Sequence, residues 1–377
     1  MPRTRLVVLF GGRSAEHEVS CISALHVLAA VDPERYDVVP VGITRQGTWV
    51  DAAAAVAALE AGALSLPSPD DLDLDHLDPM AVVASAAPLG ADGAGAAPGE
   101  VERRGHGDGG PVVVFPLLHG PMGEDGTVQG LLEVAGVPYV GAGVLASSLC
   151  MDKGAAKDVL AARGLPQPRW RCLRQPTEEA VATLIADLGL PLFVKPANMG
   201  SSVGVGRAGS AGELIAALAT ARRYDEYVVV EEGLSRPREI EVAVLGNAGP
   251  RASVPGEVVP SHDFYDFDDK YLAGTAGLRV PADLTPDEAA EAQALALATY
   301  RALRVDGMAR VDLFHEAGGR GFLVNEVNTI PGFTPISMYP RLWAASGLSY
   351  PALVDELVRL AVDRYDRRST FATTRTP

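Results

Sequence analysis

The chain has 377 residues, 47% hydrophobic and 21% charged, the proportions of a globular protein long enough for two or three domains. Its formal net charge of −16 argues against nonspecific binding to nucleic acid or to an anionic membrane surface. Any anionic ligand must therefore be met by a few placed Lys and Arg residues.

The apolar run before Gly11 is too short for a signal peptide, and no stretch has the length of a transmembrane helix, so a cytoplasmic protein is expected. Cys21, Cys150 and Cys172 lie far apart with no C-x-x-C pair, which indicates neither a disulfide framework nor a zinc site. Leu6 to Phe10 reads as a buried strand ending in Gly11-Gly12-Arg13-Ser14. A helical pattern follows, with Val19, Ile22, Leu25 or His26, and Leu28-Ala29 as its apolar face. Strand, glycine turn and helix start together offer backbone N–H groups to an anion. Glu16 at that turn is either an acid favoured by the helix dipole or the holder of an ammonium group. Asp37 to Ile43 gives a second strand and hence an α/β domain with a parallel sheet.

From Asp51 to Gly110 the chain is rich in Ala, Pro, Asp and Gly; a helix is predicted near Ala52–Leu59 and a flexible surface loop over Gly90–Pro111. Val112 to Phe115 is a strand, followed by His119-Gly120-Pro121-Met122-Gly123-Glu124-Asp125-Gly126. Glycines, a His and two acids at a strand's C-terminal end mark the usual ligand edge of an α/β sheet, although a plain turn explains the glycines equally well. Gly141-Ala142-Gly143-Val144-Leu145-Ala146 matches a dinucleotide fingerprint but lacks an acid about 20 residues on. Met151-Asp152-Lys153 opens an Ala-rich helix carrying Lys157; lysines in such positions are commonly solvated.

Pro191 to Pro196 is a strand delivering Lys195, and Asn198 to Gly206 is a Gly/Ser loop without the Gly-Lys-[Ser/Thr] of a Walker A motif. Its small residues still let backbone N–H groups approach phosphates. A helix over Gly212–Ala221 and a strand over Tyr227–Val230 lead to Glu231-Glu232-Gly233. In the strand Glu239 to Leu245, Glu239 and Glu241 share a face. Ser261 to Val280, with four aromatic rings and Lys270, reads as a lid loop. Pro286–Leu303 and Pro351–Tyr365 are helices, and Ser369–Pro377 is expected to fray.

Between those two helices, Arg310-Val311-Asp312-Leu313-Phe314 and Phe322-Leu323-Val324-Asn325-Glu326-Val327-Asn328 flank a glycine-rich turn and form a hairpin. Alternation puts Arg310 and Asp312 on one face of the first strand. Glu326 and Asn328 share a face of the second, with Val327 turned away. Oxygen donors beside an Arg suit a hard cation and the phosphates it carries, or else a solvated face.

Taken in order, Gly11 through Glu16, His119 through Gly126, Met151-Asp152-Lys153, Lys195-Pro196, Gly200 through Gly204, Tyr265 through Tyr271 and Asn325 through Phe333 resemble the D-alanine–D-alanine ligases, a branch of the ATP-grasp enzymes. The resemblance spans nearly the whole chain, Asp51–Gly110 excepted. It implies a three-domain α/β ATP-grasp architecture. An N-terminal parallel-sheet domain would cover 1–147, and two α+β domains, 148–233 and 234–377, would clasp ATP, the last carrying a lid at 261–280. It also implies that ATP activates the carboxylate of one D-alanine and the amine of a second attacks, in a homodimer that makes a peptidoglycan precursor.

By the same resemblance, Asp312, Glu326 and Asn328 would hold two Mg2+ (or Mn2+) ions. Lys153 and Lys195 would bind the α- and β-phosphates, Lys270 would reach the γ-phosphate, and Ser202 would also bind the nucleotide. Glu231 and Glu232 would border the adenine, and Glu239 the ribose. Glu16 would hold the first D-alanine's ammonium, with His119 near its carboxylate. Arg310 and the Gly332 N–H would form the oxyanion hole, and Ser337 and Met338 would meet the second carboxylate. Glu16, Ser201 and Tyr271 would link three segments on closure, Tyr271 favouring D-alanine over D-lactate as second substrate. The competing expectations are a ligase for another carboxylate–amine pair and a nucleotide-binding regulator without catalysis.

Overall fold

The computed structural model describes residues 3–51, a few positions between 56 and 82, and residues 111–259 and 277–372. Most of the helix expected near Ala52–Leu59, nearly all of the loop expected over Gly90–Pro111, and the lid with Lys270 and Tyr271 lie outside the described residues. The last residues of that expected lid form a short strand instead.

The first sheet has the order β3-β2-β1-β4, built from β1 (Thr4–Gly11), β2 (Tyr36–Ile43), β3 (Trp49–Asp51) and β4 (Val112–Pro116). β1 runs parallel to β2 and to β4, and only the edge strand β3 is antiparallel. Leu6, Val8 and Phe10 point to one face of β1 and Val7 and Leu9 to the other, and all are buried, as expected for a strand covered on both sides. Helix α1 (His17–Ala30) leaves the C-terminal end of β1.

Its buried face differs from the expected one. His17, Ser20, Cys21, Ser23, Ala24 and Val27 are buried, whereas Val19 and Ile22 line a cleft. The reason is hydrogen bonding. Ser20 Oγ accepts from the Gly11 N–H at 2.7 Å and donates to the Leu117 carbonyl, so its hydroxyl is satisfied inside the protein. Helices α2 (Thr127–Val134) and α3 (Val144–Met151) follow β4, and α3 takes up the dinucleotide-like stretch. That stretch is a packing device. Arg364 from the last helix stacks 4.1 Å over Tyr139 and donates to the carbonyls of Tyr139 and Gly141.

The second sheet is antiparallel, in the order β5-β8-β6-β7: β5 (Trp170–Arg174), β6 (Leu192–Pro196), β7 (Gly206–Ala208) and β8 (Tyr227–Glu232). Helices α4 (Lys153–Ala162), α5 (Ala180–Leu188) and α6 (Ala211–Ala221) belong to this part, and Asp152 caps α4 by accepting from the Ala155 N–H at 2.9 Å.

The third sheet runs β12-β11-β9-β13-β14, with β10 (Arg251–Ala252) beside β9. Its strands are β9 (Arg238–Leu245), β11 (Gly256–Val259), β12 (Gly277–Arg279), β13 (Met308–Glu316) and β14 (Gly321–Asn328). The predicted hairpin is β13–β14, with Arg310 opposite Asn328 and Asp312 opposite Glu326. A bulge after Asp312 then shifts the register, so that Leu313 faces Val324 and Asn325 is the extra residue. Helix α7 (Pro286–Ala302) begins in a full capping box between Thr285 and Glu288. Helices α8 (Met338–Ala345) and α9 (Tyr350–Ser369) close the chain, α9 running four residues beyond its expected end. No described helix is long and apolar enough to cross a membrane.

Candidate active site

The three sheets border one cleft of about 1630 Å³, larger than a single small-molecule site requires. Every site residue named from the sequence that lies among the described residues lines it.

The hairpin supplies one wall. Arg310 Nε and Nη2 each donate to Asp312, at 2.7 Å, in a bidentate pair. The same Nε lies 3.0 Å from Glu241 Oε2, and Asn328 Nδ2 donates to Asp312 Oδ2 at 2.9 Å. Burial alone would lower the Arg310 pKa, but Asp312, Glu241 and Glu326 outweigh it and raise it further. The guanidinium is therefore a permanent, rigidly aimed charge.

The central sheet supplies the facing wall. Lys195 Nζ donates to Glu231 Oε2 at 2.9 Å and to Asn325 Oδ1 at 3.2 Å. That second bond joins the two walls through the bulged residue. Lys157 was expected at the surface; it is 2% exposed, with Nζ 2.9 Å from Glu231 Oε1. Burial opposes the Glu231 charge, yet Lys157 and Lys195 bring its pKa down to about 2. Lys153 Nζ donates to the Met199 carbonyl at 2.6 Å, tying α4 to the Gly/Ser loop. In that loop Ser201 and Ser202 both have positive φ, at 48° and 60°, a costly conformation for residues with a Cβ. Glu232 is occupied elsewhere, accepting from Arg169 and Arg320, so it borders the cleft as part of an ion-pair cluster.

The base of the cleft belongs to the first sheet. Glu16 is 8% exposed and accepts from the Ser201 hydroxyl, linking α1 to the Gly/Ser loop as the sequence suggested. A Cβ on Gly200 would stand 2.8 Å from Glu16 Oε2, so the loop reaches this carboxylate only because residue 200 is glycine. Glu124 accepts from the Gly120 N–H at 2.9 Å, and burial, reinforced by Glu16, pushes its pKa up to about 8. His119 is held by the segment that follows the hairpin and by α1: Nδ1 lies 2.9 Å from the Ile330 carbonyl and Nε2 3.5 Å from Ser23 Oγ. Burial lowers its pKa against the pull of Glu16, so the ring is neutral, with Nδ1 as donor. Ser23 Oγ also accepts from the Phe333 N–H at 3.3 Å. Both ends of Ile330-Pro331-Gly332-Phe333 are thus tethered to α1 and the His119 turn. A Cβ on Gly332 would lie 3.1 Å from Ser337 Oγ, at the start of α8, beside Met338.

Residues 5–142 match the D-ala D-ala ligase N-terminus and residues 159–359 the D-ala D-ala ligase C-terminus. The chain belongs to the D-alanine–D-alanine ligase family. It is 46% identical to the D-alanine–D-alanine ligase of Streptomyces griseus, over 96% of this chain and 93% of the relative. It is likewise 46% identical to that of Deinococcus radiodurans, over 96% and 99%. Among solved structures it resembles the D-alanine–D-alanine ligase of Coxiella burnetii, with a TM-score of 0.78 and 36% identity over 98% of this chain and 97% of the other. The VanG D-Ala:D-Ser ligase of Enterococcus faecalis gives a TM-score of 0.79 and 34% identity over 95% and 99%. The ligase family fixes the architecture as ATP-grasp and implies ATP and a divalent metal.

The residues fit such a metal. Among the described residues no three His, Cys, Asp or Glu form a ready-made cage. Asp312, Glu326 and Asn328 instead offer two carboxylates and an amide, all oxygen donors, on the cleft face of the hairpin. Mg2+ is commonly held by one or two carboxylates plus the phosphates of its substrate. Sequence reasoning missed Ser23, and it noted Asn325, Lys157 and Glu241 without giving them a role.

Proposed function

We propose that this enzyme joins two D-alanine molecules to D-alanyl-D-alanine, with ADP and phosphate released, for a peptidoglycan precursor. The observation that carries the reading is the Lys195–Asn325 bond, which sets a lysine-rich wall directly against the acid-bearing hairpin. A phosphate site and a metal site then adjoin, as a phosphoryl transfer requires.

A carboxylate oxygen of the first D-alanine attacks the γ-phosphorus, and ADP leaves. The amine of the second attacks the acyl carbon, a proton is lost from nitrogen, and phosphate leaves as the amide forms. Lys153, Lys195 and Ser202 hold the α- and β-phosphates, and Lys270 on the lid reaches the γ-phosphate. Glu231 and Glu232 border the adenine and Glu239 takes the ribose. Asp312, Glu326 and Asn328 would hold two Mg2+ or Mn2+ ions, which when bound neutralise charge on the phosphates.

Glu16 binds the first ammonium group. Neutral His119, beside its carboxylate, keeps the Gly332 segment in place. Arg310 and the Gly332 N–H stabilise the tetrahedral oxyanion, a role for which preorganised donors are worth about 100- to 1,000-fold in rate. Ser337 and Met338 meet the second carboxylate. Glu16, Ser201 and Tyr271 link the closed segments and exclude water from the acyl phosphate. Domain limits at 1–147, 148–233 and 234–377, a cytoplasmic location and a homodimer complete the reading.

Phosphate release from Mg2+-ATP, with product identification, tests it. D-alanine should drive release and yield the dipeptide. L-alanine should not, and D-lactate or D-serine added beside D-alanine should compete poorly as the second substrate. Nucleotide binding without D-alanine-dependent turnover would replace this reading with a regulator or another amine acceptor.

A further inference from the structure

We propose that Lys157 is a charge-compensating positioning residue for the nucleotide site: it neutralises Glu231 from behind, leaving Lys195 a positive charge uncancelled at the phosphates. The inference rests on the reading of Lys195 as a phosphate ligand.

Lys157 has no place in the mechanism above. It is 2% exposed and does not line the cleft, so it cannot touch a ligand. A lysine is rarely buried so completely; burial works against its charge and lowers its pKa, and the paired carboxylate of Glu231 opposes that shift. Its partner is Glu231, itself 3% exposed, and the carboxylate is divided evenly. Oε1 lies 2.9 Å from Lys157 Nζ and Oε2 lies 2.9 Å from Lys195 Nζ. Of the two lysines, Lys195 is the one at the cleft; its other hydrogen-bond partner, Asn325, is neutral, while Glu326 and Glu239 act on it electrostatically from the facing wall.

The charge count follows from this geometry. Glu231 and Lys195 alone would form a neutral pair, whose field at a phosphate largely cancels. With Lys157 added, the Glu231–Lys157–Lys195 cluster keeps one net positive charge, and of its two lysines Lys195 alone lines the cleft. Glu231 gains a purpose as well, since it fixes the Lys195 ammonium in one position. Helix geometry supports the arrangement. Lys157 stands one turn after Lys153 on α4, on the same side of the helix. Its carbonyl accepts from Gln167 Nε2 at 2.8 Å, which locks this turn in place.

The test uses calorimetric titration of the full chain with Mg2+-ADP and, separately, adenosine. Adenosine shares the base and ribose but carries no phosphate. Lys157→Met should weaken ADP binding about 10- to 30-fold, the effect of one unit charge several ångströms away at an intermediate dielectric. Adenosine affinity should stay within about twofold. The decisive variant is Lys157→Met with Glu231→Gln, which removes one charge of each sign; because Glu231 borders the adenine, it is read as the ratio of ADP to adenosine affinity, which should return to within about threefold of that of the unaltered protein. A residue that merely fills space would show no such rescue.

Equal weakening of ADP and adenosine, an unaltered ADP affinity in Lys157→Met, or a double variant whose ratio stays as low as that of the single would each overturn the inference. If Lys157→Met does not fold, Glu231→Gln against the double variant carries the same test. Loss of Lys157 in that background must again weaken ADP about 10- to 30-fold, and an unchanged affinity overturns the proposal. Failure of the unaltered protein to bind ADP would overturn the reading of the cleft itself.

Discussion

On the hairpin wall of the cleft one cation serves several carboxylates, whereas on the facing wall one carboxylate serves several cations. Arg310 is shared by Asp312 and Glu241, with Glu326 acting on it electrostatically. Glu231 is shared by Lys157 and Lys195. Each wall is internally paired, which a buried charge requires, yet each keeps an excess of one sign. The hairpin is left acidic, as a divalent metal needs, and the central sheet is left basic, as phosphates need. A chain of net charge −16 thus gathers positive potential by placing a single acid among lysines.

Breaking the acidic wall should have the largest effect. Glu326→Gln replaces one carboxylate donor by a neutral amide and so removes one negative charge from the hairpin, with no substitution in the lysine wall. Turnover should fall roughly 1,000-fold, since metal stabilisation of a transferring phosphoryl group is worth several kcal/mol. ADP affinity in the absence of metal should not fall, since Glu326 acts on Lys153 and Lys195 and its neutralisation leaves their charge less cancelled, and a comparable loss in both would show that the walls do not divide the work as described. A smaller effect is expected where the walls are joined to the base. Ser201→Ala deletes the hydroxyl that donates to Glu16, a hydrogen bond to a charged group worth about 1.5–3 kcal/mol. The kcat/KM for D-alanine should drop roughly 10- to 100-fold, with ADP affinity close to normal. A change confined to ADP would assign Ser201 to the phosphates alone.

The hairpin wall was legible in the sequence and much of the facing wall was not. Alternation along β13 and β14 put Arg310, Asp312, Glu326 and Asn328 on the cleft face, because period-two geometry is rigid over a few residues. It could not reveal Asn325, since the bulge after Asp312 inserts a residue that breaks the period and turns the amide toward Lys195. Lys157 was invisible for a different reason. A lysine one turn into an Ala-rich helix is commonly solvated, and only the tertiary position of Glu231 makes this one internal. The α1 face failed because hydrophobicity was the guide, whereas Ser20 and Ser23 are buried through hydrogen bonds to Gly11, Leu117 and Phe333. Motif residues that line the cleft could be read; the residues that hold them in place needed the fold.

A third difference between the walls and the base appears on changing pH. Glu231 is held down to about 2 and Arg310 is raised further still, so neither of these two groups should change charge near neutrality. The base does contain a group that titrates there. His119 is buried and neutral, with its pKa lowered from 6.5 chiefly by burial. An unfolded chain therefore binds a proton at this site at a higher pH than the folded chain does. The contribution of the neutral ring to stability is complete above pH 6.5 and is lost as pH falls from there toward the folded-state value. Comparing the native protein with His119→Gln at each pH removes the contribution of groups that titrate independently of the ring. The destabilisation caused by the substitution should be greatest near pH 8 and should shrink below pH 6.5, by at most about 1.4 kcal/mol per pH unit. Urea unfolding at several pH values measures it, and a difference that stays flat down to pH 5 would mean that the ring is not held neutral between Ser23 and the Ile330 carbonyl.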